Sequence, residues 1–250
     1  MAGTALQRRL IWRTAEVQDL VDETPRVRSL VLEVPDWPGH VPGQHVDVRL
    51  TAEDGYQAQR SYSIASSPTG ERVTLTVERL EDGEVSPYLA AELRVGDRLE
   101  LRGPVGGYFV WDVSLGGPLL LVAGGSGICP LMAMLRLRHA AGSAVPTRLL
   151  YSSRSLEDVI YRDELDRMAA DGTGLEVIHT LTRSVPQAWA GLHRRIDAAM
   201  LSAAAWPPAD QPLSFICGPT PLVESAAESL VHLGHEPTRI KTERFGPTGG

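Results

Sequence analysis

One short motif in the first half of the chain carries residue types suited to holding a planar ring with a diphosphate attached. Arg60, Ser61, Tyr62 and Ser63 follow one another in a segment with the pattern of a strand. A guanidinium pairs well with a diphosphate, an aromatic side chain lies along a planar ring, and a hydroxyl can bond a ring nitrogen. Without further context, the same residues also fit a solvated edge strand.

A glycine-rich turn in the second half has the chemistry of a phosphate site. Residues 124–127 read Gly-Gly-Ser-Gly and lie between the apolar run 119–123 and a helix predicted to open at Pro130. Glycines let backbone N–H groups approach a phosphate, which the positive end of a helix also attracts. The spacing is neither Gly-x-Gly-x-x-Gly nor a triphosphate loop. A tight strand-to-helix turn is therefore the alternative interpretation.

Two cysteines occur in the chain, Cys129 and Cys217, and neither has a partner at metal-ligand spacing. A four-thiolate iron–sulfur cluster within the chain is excluded, and no metal site is predicted. Cys217 ends an apolar strand just before Gly218 and Pro219, where it is either a small buried side chain or a functional thiol. Cys129 is interpreted as a packing residue, and no disulfide is expected in a cytoplasmic protein.

The first part of the chain predicts an antiparallel barrel. Between residues 27 and 101, strand-like segments such as 46–50 and 72–79 alternate apolar and polar residues, with Gly- and Asp-containing turns between them. Close strand spacing of this kind is typical of a small barrel. One helix interrupts it, with Ser86 predicted as its cap and Pro87 at its first position.

After residue 113, strands alternate with helices, which predicts a parallel sheet covered on both faces. The predicted strands comprise residues 119–123, 148–151, 175–179 and 213–217, and the predicted helices open at 130, near 158 and near 219. The small residues and proline of segment 114–118 mark the boundary. The prediction is a two-domain protein, with a six-stranded antiparallel barrel over 8–113, a Rossmann-like α/β domain over 118–245, and a tail at 246–250.

Taken together and in order, these motifs resemble the ferredoxin–NADP+ reductase superfamily from about residue 8 to 245. The matching segments are 60–63, 83–86, 103–104, 124–130, 217–219 and 243–245. Each segment alone is a weak signal, but six segments in the order of the family are a specific one. The resemblance implies a flavin on the barrel and a nicotinamide dinucleotide on the second domain.

On the flavin side, the resemblance implies that Arg60 binds the diphosphate, Tyr62 stacks on the isoalloxazine ring and Ser63 faces its hydride-accepting nitrogen. It assigns further flavin contacts to Ser61, Gly83, Val85 and Ser86. FAD is the expected cofactor because it is the usual one in the family. No single residue in the sequence distinguishes it from FMN.

On the nicotinamide side, the resemblance places the dinucleotide on Gly124, Gly125, Ser126, Gly127, Gly218 and Pro219. It implies that Cys217 orients the nicotinamide ring without acting as a covalent nucleophile. Phe245 would cover the flavin face and must move for hydride transfer, while Glu243 lies near Cys217 and helps move a proton.

A basic segment of the second domain is expected to select the nicotinamide dinucleotide. Thr182 and Arg183 match the family position for a 2′-phosphate, and Arg194 and Arg195 lie near a second basic contact. Fixed cations beyond the strand ends are what recognition of a 2′-phosphate requires. We therefore expect NADPH rather than NADH.

The expected function is transfer of hydride from NADPH or NADH to FAD and of electrons to a separate protein such as a ferredoxin. A net charge of −7 argues against a nucleic-acid partner, and no apolar run approaches a membrane span. A cytoplasmic protein is expected. The alternatives are a reductase component of an oxygenase or molybdenum enzyme, an electron-transfer subunit of a larger complex, a siderophore or free-flavin reductase, and a non-enzymatic nucleotide-binding module.

Overall fold

The first sheet is a closed barrel. The computed structural model describes residues 10–52, 54–69 and 72–245. Its first six strands are β1 (Trp12–Thr24), β2 (Val27–Glu33), β3 (His45–Thr51), β4 (Gln57–Ser63), β5 (Arg72–Glu78) and β6 (Arg98–Val105). They pair in the antiparallel order β4-β3-β6-β1-β2-β5. A bridge between Ile64 and Leu75 joins the two edges, so the predicted six-stranded barrel is confirmed.

The long strand β1 was not predicted from the sequence pattern. Of its thirteen residues only Ala15 and Val17 are buried in the barrel core. The ladder between β1 and β2 also shifts register twice, once between Val17 and Asp19. With few apolar residues and a broken period, β1 lacks the alternation that identified the other strands.

The helix predicted between the barrel strands exists, but its cap was predicted wrongly. It is a five-residue π-helix, Tyr88–Glu92, with Pro87 at its N-terminal boundary and no side-chain cap. The hydroxyl of Ser86 instead accepts a hydrogen bond from the Leu80 N–H at 3.1 Å. Ser86 therefore secures the loop that precedes the helix.

The second sheet is parallel and has the order β11-β10-β7-β8-β9. Its strands are β7 (Leu119–Gly124), β8 (Thr147–Ser153), β9 (Leu175–Leu181), β10 (Leu213–Pro219) and β11 (Ile240–Phe245), and its helices are α1 (Ile128–Ala140), α2 (Arg162–Ala170), α3 (Ala198–Ala204) and α4 (Thr220–His232). Every residue of β7 is buried. One core contains residues of α1 and α2, and the other contains residues of α3 and α4. The predicted covering of both faces is confirmed.

Two helix starts differ from the sequence prediction. Helix α1 begins at Ile128, two residues before Pro130, because a 3-10 turn at 125–127 leads directly into it. Helix α2 begins at Arg162 instead of near 158, because Tyr161 adopts a left-handed conformation with φ +59°. A left-handed residue cannot continue a helix towards its N-terminus.

The barrel and the α/β domain share a core. Phe109 and Trp111, which follow the last barrel strand, are buried in the same cluster as residues of α1. Gly43 permits this contact, because a Cβ there would lie 1.7 Å from the Phe109 carbonyl oxygen. Across the same boundary, Arg136 donates to the Ala65 carbonyl at 2.8 Å. The two sheets are therefore held in fixed proximity, with a cleft between them.

The limits predicted for the two domains remain a prediction. The change of sheet falls after β6, which ends at Val105, and before β7, which begins at Leu119. Residues 8–9 and the predicted tail 246–250 lie outside the described residues.

Candidate active site

A cleft of about 1200 Å³ runs between the barrel and the α/β domain. That volume is above the range of about 300–1,000 Å³ usual for a single small ligand. The predicted site residues that line it come from both domains: Arg60, Ser61, Tyr62, Ser63, Gly83, Val85, Ser86, Gly124, Gly125, Ser126, Thr182, Arg183, Pro219 and Phe245. The structure thus brings the flavin and nicotinamide motifs to one cavity.

The end of β4 presents an unpaired hydroxyl to the cleft. Ser63 is 6% exposed, and its Oγ has no hydrogen-bond partner among the described residues. A buried hydroxyl without a partner is costly unless something else bonds it. A ring nitrogen or carbonyl of a bound ligand would satisfy it, so this side chain fits the predicted flavin contact.

Tyr62 and Ser61, the two residues before Ser63 on β4, make different contacts. The Tyr62 ring packs against the barrel core and also lines the cleft. Its burial raises the pKa of the phenol to about 12, so the ring stays neutral and can stack. The hydroxyl of Ser61 donates to Asp47 Oδ1 at 2.7 Å, which ties β4 to β3.

Arg60 is paired with Glu84, a carboxylate within the 83–86 segment to which the resemblance assigns flavin contacts. Its guanidinium lies 2.7 Å from Glu84 Oε2, and both side chains are about half exposed. Exposed ion pairs of this kind contribute only about 0–1 kcal/mol. Exchange of Glu84 for a diphosphate therefore costs little, and Arg60 fits the role the sequence suggests.

The glycine turn leads from β7 into α1. Gly125 has φ +53°, a conformation that favours glycine. Gly127 does not line the cleft; a Cβ on it would lie 2.1 Å from the Cys217 carbonyl oxygen. Its role is to let the start of α1 approach β10. The Ser126 hydroxyl donates to Glu78 Oε2 at 3.0 Å, across the domain boundary.

Cys217 and Glu243 lie side by side on neighbouring parallel strands. They are register partners in β10 and β11, and Cys217 Sγ lies 3.9 Å from Glu243 Oε2. Burial raises the pKa of the Cys217 thiol well above its usual range, so the thiol stays protonated. Burial also raises the pKa of Glu243, to about 7, against a lowering by its contact with Cys217. Neither residue is among the cleft-lining residues.

Phe245 lines the cleft two positions beyond Glu243. It is the register partner of Pro219, which also lines the cleft. Gly218, between Cys217 and Pro219, lies against the Gly124 backbone, where a Cβ would meet atoms at 3.1–3.2 Å. Gly218 therefore brings β10 close to the glycine turn and does not itself line the cleft.

The far end of the cleft is basic. Thr182 and Arg183 follow β9, and together with Arg154 and Arg195 they line this end. Arg194 does not line it: its guanidinium lies 2.8 Å from Asp197, and its carbonyl accepts a hydrogen bond from Thr180 at 2.5 Å. Of the two neighbouring arginines, Arg195 is the one that reaches the cleft.

Several cleft residues were not anticipated from the sequence. Glu78, Arg26 and Asp158 bring charge to the lining of the cleft, and Thr76 and Cys129 also line it. The only sequence signal that could have indicated any of these residues is the position of Glu78, at the end of a strand before the 83–86 motif. Cys129 is buried, its thiol contacts the Thr76 carbonyl at 3.8 Å, and burial raises its pKa to about 12. These properties fit the packing interpretation.

Among the described residues, no group of three or more His, Cys, Asp or Glu side chains is arranged to hold a metal ion. In the same part of the chain, none of the helices combines the length and apolarity that a bilayer-spanning segment requires.

A barrel with a flavin motif, joined to a parallel sheet with a dinucleotide turn, defines a flavin- and nicotinamide-binding oxidoreductase. Two family models match in the same order: the oxidoreductase FAD-binding domain over residues 15–110 and the oxidoreductase NAD-binding domain over residues 121–228. The chain belongs to the ferredoxin–NADP+ reductase family. The predicted family, fold, and flavin and nicotinamide dinucleotide domains are confirmed.

Known relatives agree with this assignment. The chain is 36% identical over 232 residues to ferredoxin–NADP reductase B of Sorangium cellulosum, covering 89% of this chain and 93% of that protein. It is 33% identical over 242 residues to the ferredoxin reductase component of 3-ketosteroid-9-alpha-monooxygenase from Mycobacterium tuberculosis. That match covers 92% of this chain but only 64% of the relative.

A solved structure shows the same two-domain arrangement. It is the flavohem-like FAD/NAD-binding domain of nitric oxide dioxygenase from Vibrio cholerae, with a TM-score of 0.83 and 26% identity. The superposition covers 94% of this chain and 99% of that chain.

Proposed function

We propose that this protein is an NAD(P)H-dependent flavoprotein reductase. It holds FAD on the barrel, takes reducing equivalents from NADPH bound to the α/β domain, and passes electrons to a separate redox protein such as a ferredoxin. When bound, the flavin supplies the redox chemistry, accepting a hydride and releasing electrons. The protein's own residues bind, orient and shield the reacting groups.

The Ser63 hydroxyl gives the proposal its main support. The buried Ser63 hydroxyl has no partner among the described residues and opens into a cleft that also contains the Gly124–Gly125 turn. A flavin bonded to Ser63 and a dinucleotide held on the turn would share this cleft. Holding two reactants in a fixed relative position is a large source of rate acceleration.

The flavin contacts follow from the side chains at the barrel end. Tyr62 offers a neutral ring for stacking, and Arg60 can exchange Glu84 for the flavin diphosphate. The Ser86 hydroxyl accepts a hydrogen bond from Leu80 N–H, and its own O–H can still donate to a flavin phosphate. Ser86 also lines the cleft, which supports the flavin contact that the resemblance implies.

Glu243 is the group that can move a proton, and its neighbour Cys217 is the thiol that would orient the nicotinamide ring. Glu243 has a pKa of about 7 and so can hold or release a proton near neutral pH. Its Oε2 lies 3.9 Å from the Cys217 thiol. Phe245, which lines the cleft two residues further on, must move before a nicotinamide ring can reach Cys217.

The basic end of the cleft supports NADPH as the preferred donor. Arg183 and Arg195 both line this end, and guanidinium groups bind phosphate through paired N–H donors. We expect Arg195→Ala to weaken NADP+ binding at least tenfold with little effect on NAD+, measured by calorimetry. Arg194→Ala is the matched control, because that neighbouring arginine is paired with Asp197 outside the cleft. Equal losses for both dinucleotides would contradict the preference.

The acceptor is proposed to be a separate redox protein, and the oxygenase alternative has specific support. The Mycobacterium tuberculosis relative is named as the ferredoxin reductase component of a monooxygenase. Rates of electron delivery to a panel of ferredoxins, with and without oxygenase components, distinguish the two functions.

We place the reaction in the cytoplasm, since both cysteines are free and buried, as in reducing compartments.

Flavin binding tests the proposal directly. Wild-type protein should be yellow or take up FAD, and Ser63→Ala should weaken FAD binding about 2–10-fold, as expected for loss of one hydrogen bond. Ser67→Ala is the control, because that exposed hydroxyl contacts Thr69 in the following turn. A wild-type protein that binds neither FAD nor FMN would refute the function.

A further inference from the structure

A carboxylate from the barrel occupies the glycine turn of the α/β domain. Glu78 is the last residue of β5, and its Oε2 accepts the Ser126 hydroxyl at 3.0 Å. Ser126 lies two residues before the start of α1. The N-terminus of a helix attracts negative charge. Glu78 therefore places an anion where a bound phosphate is expected.

An arginine of the barrel lies between this carboxylate and a second carboxylate, Asp158 of the α/β domain. The Arg26 guanidinium lies 4.0 Å from Glu78 and 3.4 Å from Asp158. Asp158 precedes α2 and also accepts the Ser155 hydroxyl at 2.9 Å. All three charged side chains are partly exposed, between 23% and 38%. Contacts of this length and exposure are weak and easily exchanged.

The dinucleotide diphosphate and Glu78 compete for the same groups. The Ser126 hydroxyl, a donor that a diphosphate on the glycine turn would use, already donates to Glu78. The diphosphate would also meet the negative charge of Glu78. The guanidinium of Arg26 suits a phosphate at least as well as a carboxylate, because its planar fork binds either one through two N–H donors.

We propose that Glu78 is an exchangeable internal anion that lowers the affinity of the glycine turn for the dinucleotide diphosphate. On binding, the diphosphate takes the Ser126 hydroxyl and the Arg26 guanidinium, and the Glu78 side chain leaves the turn. Arg26 is then a diphosphate-binding residue supplied by the barrel. This inference rests on the proposed function, since it concerns the same dinucleotide site.

Two partial ligands separate the diphosphate from the rest of the dinucleotide. ADP-ribose carries the diphosphate without a nicotinamide ring or a 2′-phosphate. In contrast, 2′-AMP is adenosine with a 2′-phosphate and has no diphosphate. Calorimetry with the full chain should show ADP-ribose binding to Glu78→Gln at least tenfold tighter than to wild type. Arg26→Ala should bind it at least tenfold weaker, and Arg26→Lys should lose less. None of these three substitutions should alter 2′-AMP binding by more than twofold.

The matched control is Glu81→Gln, three residues beyond Glu78. Glu81 is exposed and paired with Arg79, and it does not line the cleft. It should leave the binding of both ligands unchanged. A purely structural role for Glu78 predicts a lower melting temperature of Glu78→Gln with no gain in ADP-ribose affinity.

The outcomes separate this inference from the proposed function. If wild type binds NADP+ and Glu78→Gln binds ADP-ribose no more tightly than wild type, the exchange is refuted and the function stands. If wild type binds neither NADP+ nor ADP-ribose, both are refuted. Tighter ADP-ribose binding by Glu78→Gln with unchanged 2′-AMP binding supports the exchange.

Discussion

Replacing Glu243 by glutamine should stabilise the protein, and more so as the pH rises. Burial raises the pKa of Glu243 from 4.5 to about 7. Between those values the folded chain keeps a proton that the unfolded chain has released. By linkage, the stability of the wild type therefore falls as pH rises through this window. Glutamine has the same shape and no charge to desolvate.

The size of the effect follows from the shift. Each pKa unit corresponds to about 1.36 kcal/mol. Integrated from the unfolded value, the ionisation penalty on the wild type is about 1 kcal/mol at pH 5 and about 3 kcal/mol at pH 8. These are upper values, because a half-buried carboxylate can relax towards solvent. Glu243→Gln should therefore gain about 2 kcal/mol relative to wild type between the two pH values.

Chemical unfolding of both proteins at pH 5 and pH 8 measures this gain. Glu228→Gln is the control, because it neutralises an exposed carboxylate on the neighbouring helix α4. The control should show the same difference from wild type at both pH values. A Glu243→Gln variant whose difference from wild type is also independent of pH, or is less favourable at pH 8, would refute the reasoning.

Three further changes have clear expected outcomes. Cys217→Ser should slow flavin reduction by NADPH at least tenfold in stopped-flow absorbance while flavin content is unchanged; loss of flavin would show that the thiol is structural. Gly127→Ala should lower the free energy of unfolding in urea by about 1–3 kcal/mol, since its Cβ would lie 2.1 Å from the Cys217 carbonyl oxygen. Its control, Gly107→Ala, should leave stability nearly unchanged, because a Cβ there would meet no atom within 4 Å. Arg136→Ala should cost about 1–3 kcal/mol, because its bond to the Ala65 carbonyl joins the domains; an unchanged urea midpoint would contradict that.

The parts of the fold that the sequence predicted are those with a strong local signal. The β7 strand is a continuous apolar run, and β5 alternates strictly enough to be recognised. The residues 60–63 combine unusual types in a strand, and the structure places all four at the cleft. By contrast, β1 buries only Ala15 and Val17 in the barrel core, so its pattern carried little information.

The parts that escaped prediction depend on contacts between distant segments. Glu78 meets Ser126 only because the two domains pack together. Which of Arg194 and Arg195 reaches the cleft depends on the ion pair with Asp197. The sequence could not indicate that the Ser86 hydroxyl would be taken by Leu80 N–H instead of capping the helix.

We propose that one cleft holds a flavin on the barrel against a nicotinamide dinucleotide on the α/β domain. Anaerobic titration of the FAD-loaded protein, followed by the visible absorbance of the flavin, tests it most directly. We expect one equivalent of NADPH to bleach the flavin band, at a lower concentration than NADH requires. A band that neither dinucleotide changes would contradict it.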